Sequence, residues 1–360
     1  MSLTPPRMLL DIRGQSASLT RVLEQQCGVG HGQLLKAAAL LRSSNRVVIV
    51  GMGASLNAAI PLENLLCEHG VESVSVEAGE FLHYRQSAYP DATIVVVSRS
   101  GESVEVAKLI AALRGRQPII GITNEAGSTL AREADVVLDV GSLPDEMVAI
   151  QSYTGTLLTL YLLGMAAIDQ LGAGRRELDT VLARFPQWIA ANLDASNQWD
   201  AFLDGDSAVY LLGRGPSYGS AAEGALLFSE IAKAPAIGMG AASFRHGPIE
   251  VVDRQFKGLI FVPCGKTRGL NLSLAEDVDR FGGRVRLIGP HQADFSGLQW
   301  IDTPACPDML APLLEIVPVQ VAAMRLAELR GIVLGSFRYA AQVTRDEGSI
   351  ALKRPLTANR

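Results

Sequence analysis

Cysteine is scarce in this chain, with four in 360 residues. Cys27, Cys67, Cys264 and Cys306 share no CxxC or other metal-like spacing and no dense disulfide pattern. A metal centre and a secreted disulfide scaffold are therefore not expected, and reduced thiols point to the cytoplasm. Long apolar runs are also missing: no stretch of ~18 or more uncharged apolar residues occurs, so no membrane span is expected. The start does not read as a leader, because Pro5, Pro6, Arg7, Asp11 and Arg13 stand where a signal peptide needs an apolar core. Basic excess is absent as well, the formal net charge being −5. Lysines and arginines are scattered, which leaves no electrostatic footprint for nucleic acid and excludes that class of partner from the expectation.

What the chain does have is hydrophobic content and repetition. At 48% hydrophobic residues it can bury one large or two medium cores, and about 100–200 residues per domain favours two. Val47-Val48-Ile49-Val50-Gly51-Met52-Gly53-Ala54-Ser55 is echoed by Val209-Tyr210-Leu211-Leu212-Gly213-Arg214-Gly215-Pro216-Ser217. Ser100-Gly101-Glu102-Ser103 is echoed by Cys264-Gly265-Lys266-Thr267, and Arg114-Gly115-Arg116-Gln117-Pro118-Ile119-Ile120-Gly121 by Gly282-Gly283-Arg284-Val285-Arg286-Leu287-Ile288-Gly289. Three echoes in one order and at a near-constant offset indicate a tandem duplication of one α/β unit.

Each unit alternates short apolar strands with helical stretches, the pattern of a parallel sheet covered on both faces. Strands are expected near Val47–Val50, Ser73–Val76, Thr93–Val97, Ile119–Ile122 and Val136–Leu138. In the second copy they fall near Val209–Leu212, Pro235–Gly238, Leu259–Val262, Val285–Ile288 and Leu298–Ile301. Residues 15–40 read as helical with a break around Gly28–Gly32. A long apolar helix is expected over Thr154–Leu171, leading into a linking stretch near Gly172–Arg175.

The segment Ser98-Arg99-Ser100-Gly101-Glu102-Ser103 follows the apolar run 93–97 and precedes a helix opening near Val104. Such a turn offers hydroxyls and unpaired N–H groups at the positive end of a helix, which suits a phosphate. The Gly51–Ser55 turn also ends a strand, so both can face one crevice at the strands' carboxyl ends. A dinucleotide site, with Glu77 as the ribose acid, fits less well. Asn57 stands where the third glycine belongs, and a second anion turn would be redundant for one pyrophosphate.

Gly53-Ala54-Ser55-Leu56-Asn57, Ser98–Ser103, Glu223-Gly224-Ala225-Leu226 and His246-Gly247-Pro248 together resemble the SIS (sugar isomerase) domain family, and within it the isomerase half of the glutamine–fructose-6-phosphate aminotransferases. The likeness runs from Met8 to about Thr344. It implies two tandem flavodoxin-like three-layer α/β/α domains with parallel sheets, spanning residues 1–172 and 173–344 and followed by a tail, 345–360. It implies phosphosugar binding by Gly53, Ala54, Ser55, Ser98, Arg99 through its backbone, Ser100 and Ser103. Sugar contacts are implied at Met147, Ala149, Ala341 and Gln342. Glu230 matches the family's proton-transferring carboxylate. His246 matches the ring-opening histidine that reaches into a partner subunit's site, which implies a homodimer with shared sites. No metal or cofactor is implied.

Departures from that pattern redirect the expected chemistry. No glutaminase domain or cysteine at residue 2 is seen, so glutamine-dependent amination is not expected of this chain. The family's Schiff-base lysine falls at Gln342, which cannot form an imine, and another family lysine is Leu227. Lys233 and Lys353 are candidate replacements, and Glu223 is a candidate to orient neighbours or cap the Gly215-Pro216-Ser217 turn. A carboxylate and a histidine still move protons through an enolamine when the sugar itself carries nitrogen. The expected function is thus a phosphosugar isomerase, deaminase or deglycase acting on an amino-sugar phosphate or fructosamine 6-phosphate. A non-catalytic phosphosugar-binding regulator is the alternative. The Cys264 turn has lost its first two hydroxyls and is expected to bind no phosphate.

Overall fold

The computed structural model describes residues 5–339 and 343–348. The first half runs α1 (Arg7–Cys27), α2 (His31–Ser43), β1 (Arg46–Gly51), α3 (Ala54–Glu68), β2 (Glu72–Glu77), α4 (Ala78–Glu80), β3 (Thr93–Val97), α5 (Val104–Leu113), β4 (Ile119–Thr123), α6 (Thr129–Glu133), β5 (Val136–Asp139) and α7 (Gln151–Ala167). The second runs α8 (Leu171–Leu182), α9 (Phe185–Asp194), α10 (Asp200–Leu203), β6 (Val209–Gly213), α11 (Ser217–Ala232), β7 (Ala236–Gly240), α12 (Ala241–Phe244), β8 (Lys257–Phe261), α13 (Arg268–Arg280), β9 (Arg284–Gly289), β10 (Gln299–Asp302) and α14 (Ala311–Leu329).

All ten expected strands are present, in two parallel sheets ordered β2-β1-β3-β4-β5 and β10-β9-β8-β6-β7. Read from its other edge, the second sheet repeats the topology of the first, which is the flavodoxin-like order. The strands are apolar throughout because both faces are covered. Val47 and Ile49 point into the large shared core, while Val48 and Val50 point into an outer one. In the second copy Leu259 and Phe261 enter the same shared core and Ile260 and Val262 a third cluster. One inner core therefore joins the two copies.

Two inner helices, α7 and α14, are buried nearly all round and are accordingly apolar on every side. Every residue of α7 is buried. The helix at Asp308–Leu329 is long and apolar enough to cross a membrane by length and composition, and 94% of its apolar 18-residue stretch is buried inside the protein. Gln15 on α1 and Gln320 on α14, both fully buried, exchange amide hydrogen bonds of 2.9 and 3.3 Å across the chain. The copies also meet where α3 crosses α11. Pro61 removes the N–H that would bond the Asn57 carbonyl, and Gly219 approaches that free oxygen so closely that a Cβ there would lie 2.6 Å from it.

One expectation is corrected. The long helix spans Gln151–Ala167, and Gly172–Arg175 is no linking stretch but the first turns of α8. Leu178, Val181, Phe185 and Ile189 bury one face of α8 and α9, so packing holds this segment helical.

Candidate functional site

Strand order reverses at β1, whose neighbours are β2 and β3, and this switch point positions the site. Val50 pairs with Val96, so the turns after β1 and β3 leave the sheet at the same level. They open on a cavity of about 290 Å³ lined by Gly53, Ala54, Ser55, Ser98, Arg99, Ser100, Ser103, Met147, Ala149 and Glu230. Nine of these come from the first copy. Glu230 is delivered by α11 of the second, alongside Leu226, while Phe337, Val343 and Thr344 close the cavity from the C-terminal segment.

The Ser98–Ser103 turn is held by its own groups. Ser98 Oγ accepts from the Gly101 N–H at 3.1 Å, and Ser100 Oγ accepts from the Glu102 N–H at 3.3 Å. Both hydroxyls remain able to donate outward. Gly101 has φ +60°, and a Cβ there would sit 2.2 Å from Ser128 Oγ, so no other residue fits without displacement. Ser103 occupies the N-cap position of α5 but makes no side-chain cap bond. Its hydroxyl faces the cavity at the positive end of the helix, where a phosphate is favoured. Ser55, in the first turn of α3, adds a second helix N-terminus to the same cavity.

Arg99 contributes more than backbone: its Nη1 donates to the Met147 carbonyl at 3.3 Å, tying the 140s loop to the turn. Burial raises the Glu230 carboxyl above its ordinary value, and the charges of Arg99 and Lys233 pull it back in part. Glu230 is the one carboxylate among the described residues lining this cavity.

The other candidates fall elsewhere. His246 is exposed after α12 and does not line the cavity, so a single chain does not bring it to Glu230. Lys233, left-handed at φ +51°, caps α11 and donates to the carbonyls of Glu230 and Ser336, with its ammonium 4.8 Å from the Phe337 ring centre. It pins the C-terminal segment to the helix that carries Glu230. Leu227 is fully buried. Ala341, Gln342 and Lys353 lie outside the described residues.

Glu223 does not cap the Gly215-Pro216-Ser217 turn. It is buried between the copies, accepts from Asn57 Nδ2 at 2.9 Å, and burial pushes its carboxyl up to about 8. The turn is held instead by Glu315, which accepts from Ser217 Oγ at 2.7 Å and Ser220 Oγ at 2.5 Å and is pushed by burial up to about 7. Glu315 was missed from sequence, although an acid inside the apolar run of α14 was the available signal. Among the described residues no group of three His, Cys, Asp or Glu side chains could hold a metal ion.

Comparison with known proteins places this geometry in a family. The SIS domain profile matches residues 40–168 and 203–327. The glutamine–fructose-6-phosphate aminotransferase of Pyrococcus horikoshii is 31% identical over 307 residues, covering 82% of this chain and 51% of that protein. The chain thus spans about half the length of the curated relatives it matches. Among solved structures, the C-terminal domain of glucosamine-fructose-6-phosphate aminotransferase from Francisella tularensis superposes with TM-score 0.79 at 22% identity, covering 92% of this chain and 98% of that one. Glucosamine-6-phosphate deaminase from Thermotoga maritima superposes with TM-score 0.72 at 20% identity, covering 94% and 99%. These two likenesses establish the fold.

Proposed function

The chain belongs to the SIS domain family, and from that premise we propose that it is an enzyme releasing an amine from a phosphorylated sugar by carboxylate and histidine proton transfer. Phosphate sits on Ser55, Ser98, Ser100 and Ser103 and on the N–H groups of the turn, a set that neutralises charge without a titratable cation. The carbon chain then runs toward Glu230, past Met147 and Ala149.

On glucosamine 6-phosphate, Glu230 takes the proton from C2 and returns it to C1 through an enolamine. Water then hydrolyses the resulting C2 imine to a ketose phosphate and ammonia. On a fructosamine 6-phosphate the same carboxylate takes the C1 proton and returns it to C2, and hydrolysis of the C1 imine gives an aldose phosphate and an amino acid. Neither route needs an oxidant, and neither needs a lysine imine, in keeping with Gln342. His246 opens the ring from a second copy of the chain, so the working unit is a homodimer with shared sites.

The observation that carries this reading is the placement of Glu230. A half-buried carboxylate with a raised pKa shares one small cavity with four serine hydroxyls and two helix N-termini. The test compares wild type with Glu230→Gln on glucosamine 6-phosphate and on a fructosamine 6-phosphate, measuring released ammonia and amino acid together with sugar binding. Wild type is expected to turn over one of them, and the variant to bind it with turnover reduced at least ~100-fold. Binding without release by wild type would favour a phosphosugar-sensing regulator instead.

A further inference from the structure

Duplication builds two clefts, and the reaction proposed above occupies one. In the first, the turns after β1 and β3 face α11. In the second, the turns after β6 and β8 face α3, because α3 and α11 cross each other. The aligned repeats put Glu68 at the counterpart of Glu230, Ser217 at that of Ser55 and Cys264 at that of Ser100. The second cleft lacks the serine turn, and its glutamate is engaged by a lysine. Ser217 spends its hydroxyl on Glu315, and Glu68 lies 2.6 Å from the Lys266 ammonium as an ion pair. That pair lines a cavity of about 430 Å³ with Gly215 and Pro216, and adjoining it across Asn64, Gly215 and Thr267 is a second cavity of about 680 Å³.

This cavity presents two opposite charges that do not close on each other. Arg214 stands in the Gly213-Arg214-Gly215 turn, where the first copy has Met52. Its Nε donates to Asn271 Oδ1 at 3.0 Å, and the fully buried Asn271 is itself anchored to the Phe261 carbonyl at 2.8 Å. Among the described residues no carboxylate pairs with Arg214, and the nearby Arg245 is neutralised by Asp277 at 2.7 Å. On the α3 side, Glu63 accepts from the Ser75 N–H at 2.9 Å and has no cationic partner among the described residues.

A guanidinium without a carboxylate and a carboxylate without a cation, lining one cavity, are satisfied together by a zwitterion. We propose that this second cleft binds a free α-amino acid, its carboxylate on Arg214 and its ammonium on Glu63. Tyr218, exposed at the rim, offers a ring to the side chain. A phosphosugar would satisfy Arg214 but set its charge against Glu63, so the pair selects against it.

Isothermal titration calorimetry of the full chain tests this with the standard amino acids, their decarboxylated amines and their deaminated acids, and with glucosamine 6-phosphate as a probe of the first cleft. At least one amino acid should bind, with both singly charged analogues at least ~10-fold weaker. Arg214→Met, which copies Met52, and Glu63→Gln should each weaken amino-acid binding at least ~10-fold. Thermal unfolding and the response to glucosamine 6-phosphate should stay unchanged in both variants. The proposal is overturned if no amino acid binds at millimolar concentration, if analogues lacking one charge bind equally well, or if the two variants retain full affinity. A second, Arg214-dependent equivalent of phosphosugar would also overturn it. Loss of the phosphosugar signal with amino-acid binding intact counts against the proposed reaction and not against this site.

Discussion

Glu223→Gln should make the protein more stable, and by an amount that grows with pH. The Glu223 carboxyl is fully buried between the copies, and burial raises its pKa from 4.5 to about 8, against the opposing hydrogen bond from Asn57. In unfolded chains it loses its proton near 4.5, whereas the native state keeps it until about 8. Below 4.5 both states are protonated and the residue has no pH effect. Between the two values the unfolded state gains about 1.4 kcal/mol per pH unit relative to the native one, so by pH 7 the fold is weaker by about 3 kcal/mol. Above about 8 both states are ionised and the penalty is constant. Glutamine retains an oxygen to accept from Asn57 and has no proton to lose. Denaturant unfolding at pH 5 and pH 8 measures this: the two proteins should agree within about 1 kcal/mol at pH 5, with the variant ahead by at least about 3 kcal/mol at pH 8. Glu315, raised by burial to about 7, imposes a similar slope on both proteins and cancels in the difference. An equal gap at both pH values, or a variant weaker at pH 8, would show that Glu223 is ionised in the native state and would refute the reasoning.

Gly101→Ala should weaken phosphosugar binding: it forces φ +60° on an alanine, about 1 kcal/mol, and pushes a Cβ to 2.2 Å from Ser128 Oγ. Calorimetry should find sugar affinity down at least ~10-fold, with unfolding detectably earlier. Mixing inactive Glu230→Gln and His246→Ala chains after unfolding should restore about a quarter of wild-type activity through mixed dimers, each with one intact shared site. No recovery would place His246 outside the partner's site. Glu347→Gln removes the carboxylate that bonds His83 and Lys108 and anchors the segment whose Val343 and Thr344 line the cavity. Sugar KM should rise with thermal stability unchanged, because the His83 and Lys108 side chains are half solvent-exposed and such pairs contribute little.

The strands and the glycine- and hydroxyl-rich turns that follow them were legible because their physics is local. A parallel strand covered on both faces must be apolar throughout, as Thr93–Val97 is, and a turn cradling an anion needs glycine and hydroxyls in adjacent positions. Duplication multiplied the signal, since each turn could be read against its echo. Less legible was whatever depends on a partner far along the chain. Glu223 reads as an orienting or capping acid and Glu315 as an ordinary one until Asn57 and the Ser217 and Ser220 hydroxyls are seen against them. Lys233 read as a spare amine until the carbonyls of Glu230 and Ser336 were found holding it. The helices over Leu171–Leu203 carried a periodic signal at Leu178, Val181, Phe185 and Ile189, but the glycines at 172 and 174 suggested a linker. Gly174 is small there because Met165 of α7 packs against it, a Cβ at that position lying 2.6 Å from the methionine Cγ.

Crossing helices also explain how the Cys264 turn could diverge while its counterpart at Ser98–Ser103 kept its serines. Each cleft takes its turns from one copy and its facing helix from the other, so Cys264 in place of a serine alters nothing around Ser98–Ser103. The helices have no such freedom. α11 presents Tyr218 to the second cleft at one end and Glu230 to the first at the other, and Gly219 and Glu223 between them hold the crossing with α3. Divergence is therefore cheap in the turns and constrained along α3 and α11. That is the distribution seen here, with Cys264-Gly265-Lys266-Thr267 rewritten as an ion-paired wall and the Glu230 helix retaining its carboxylate.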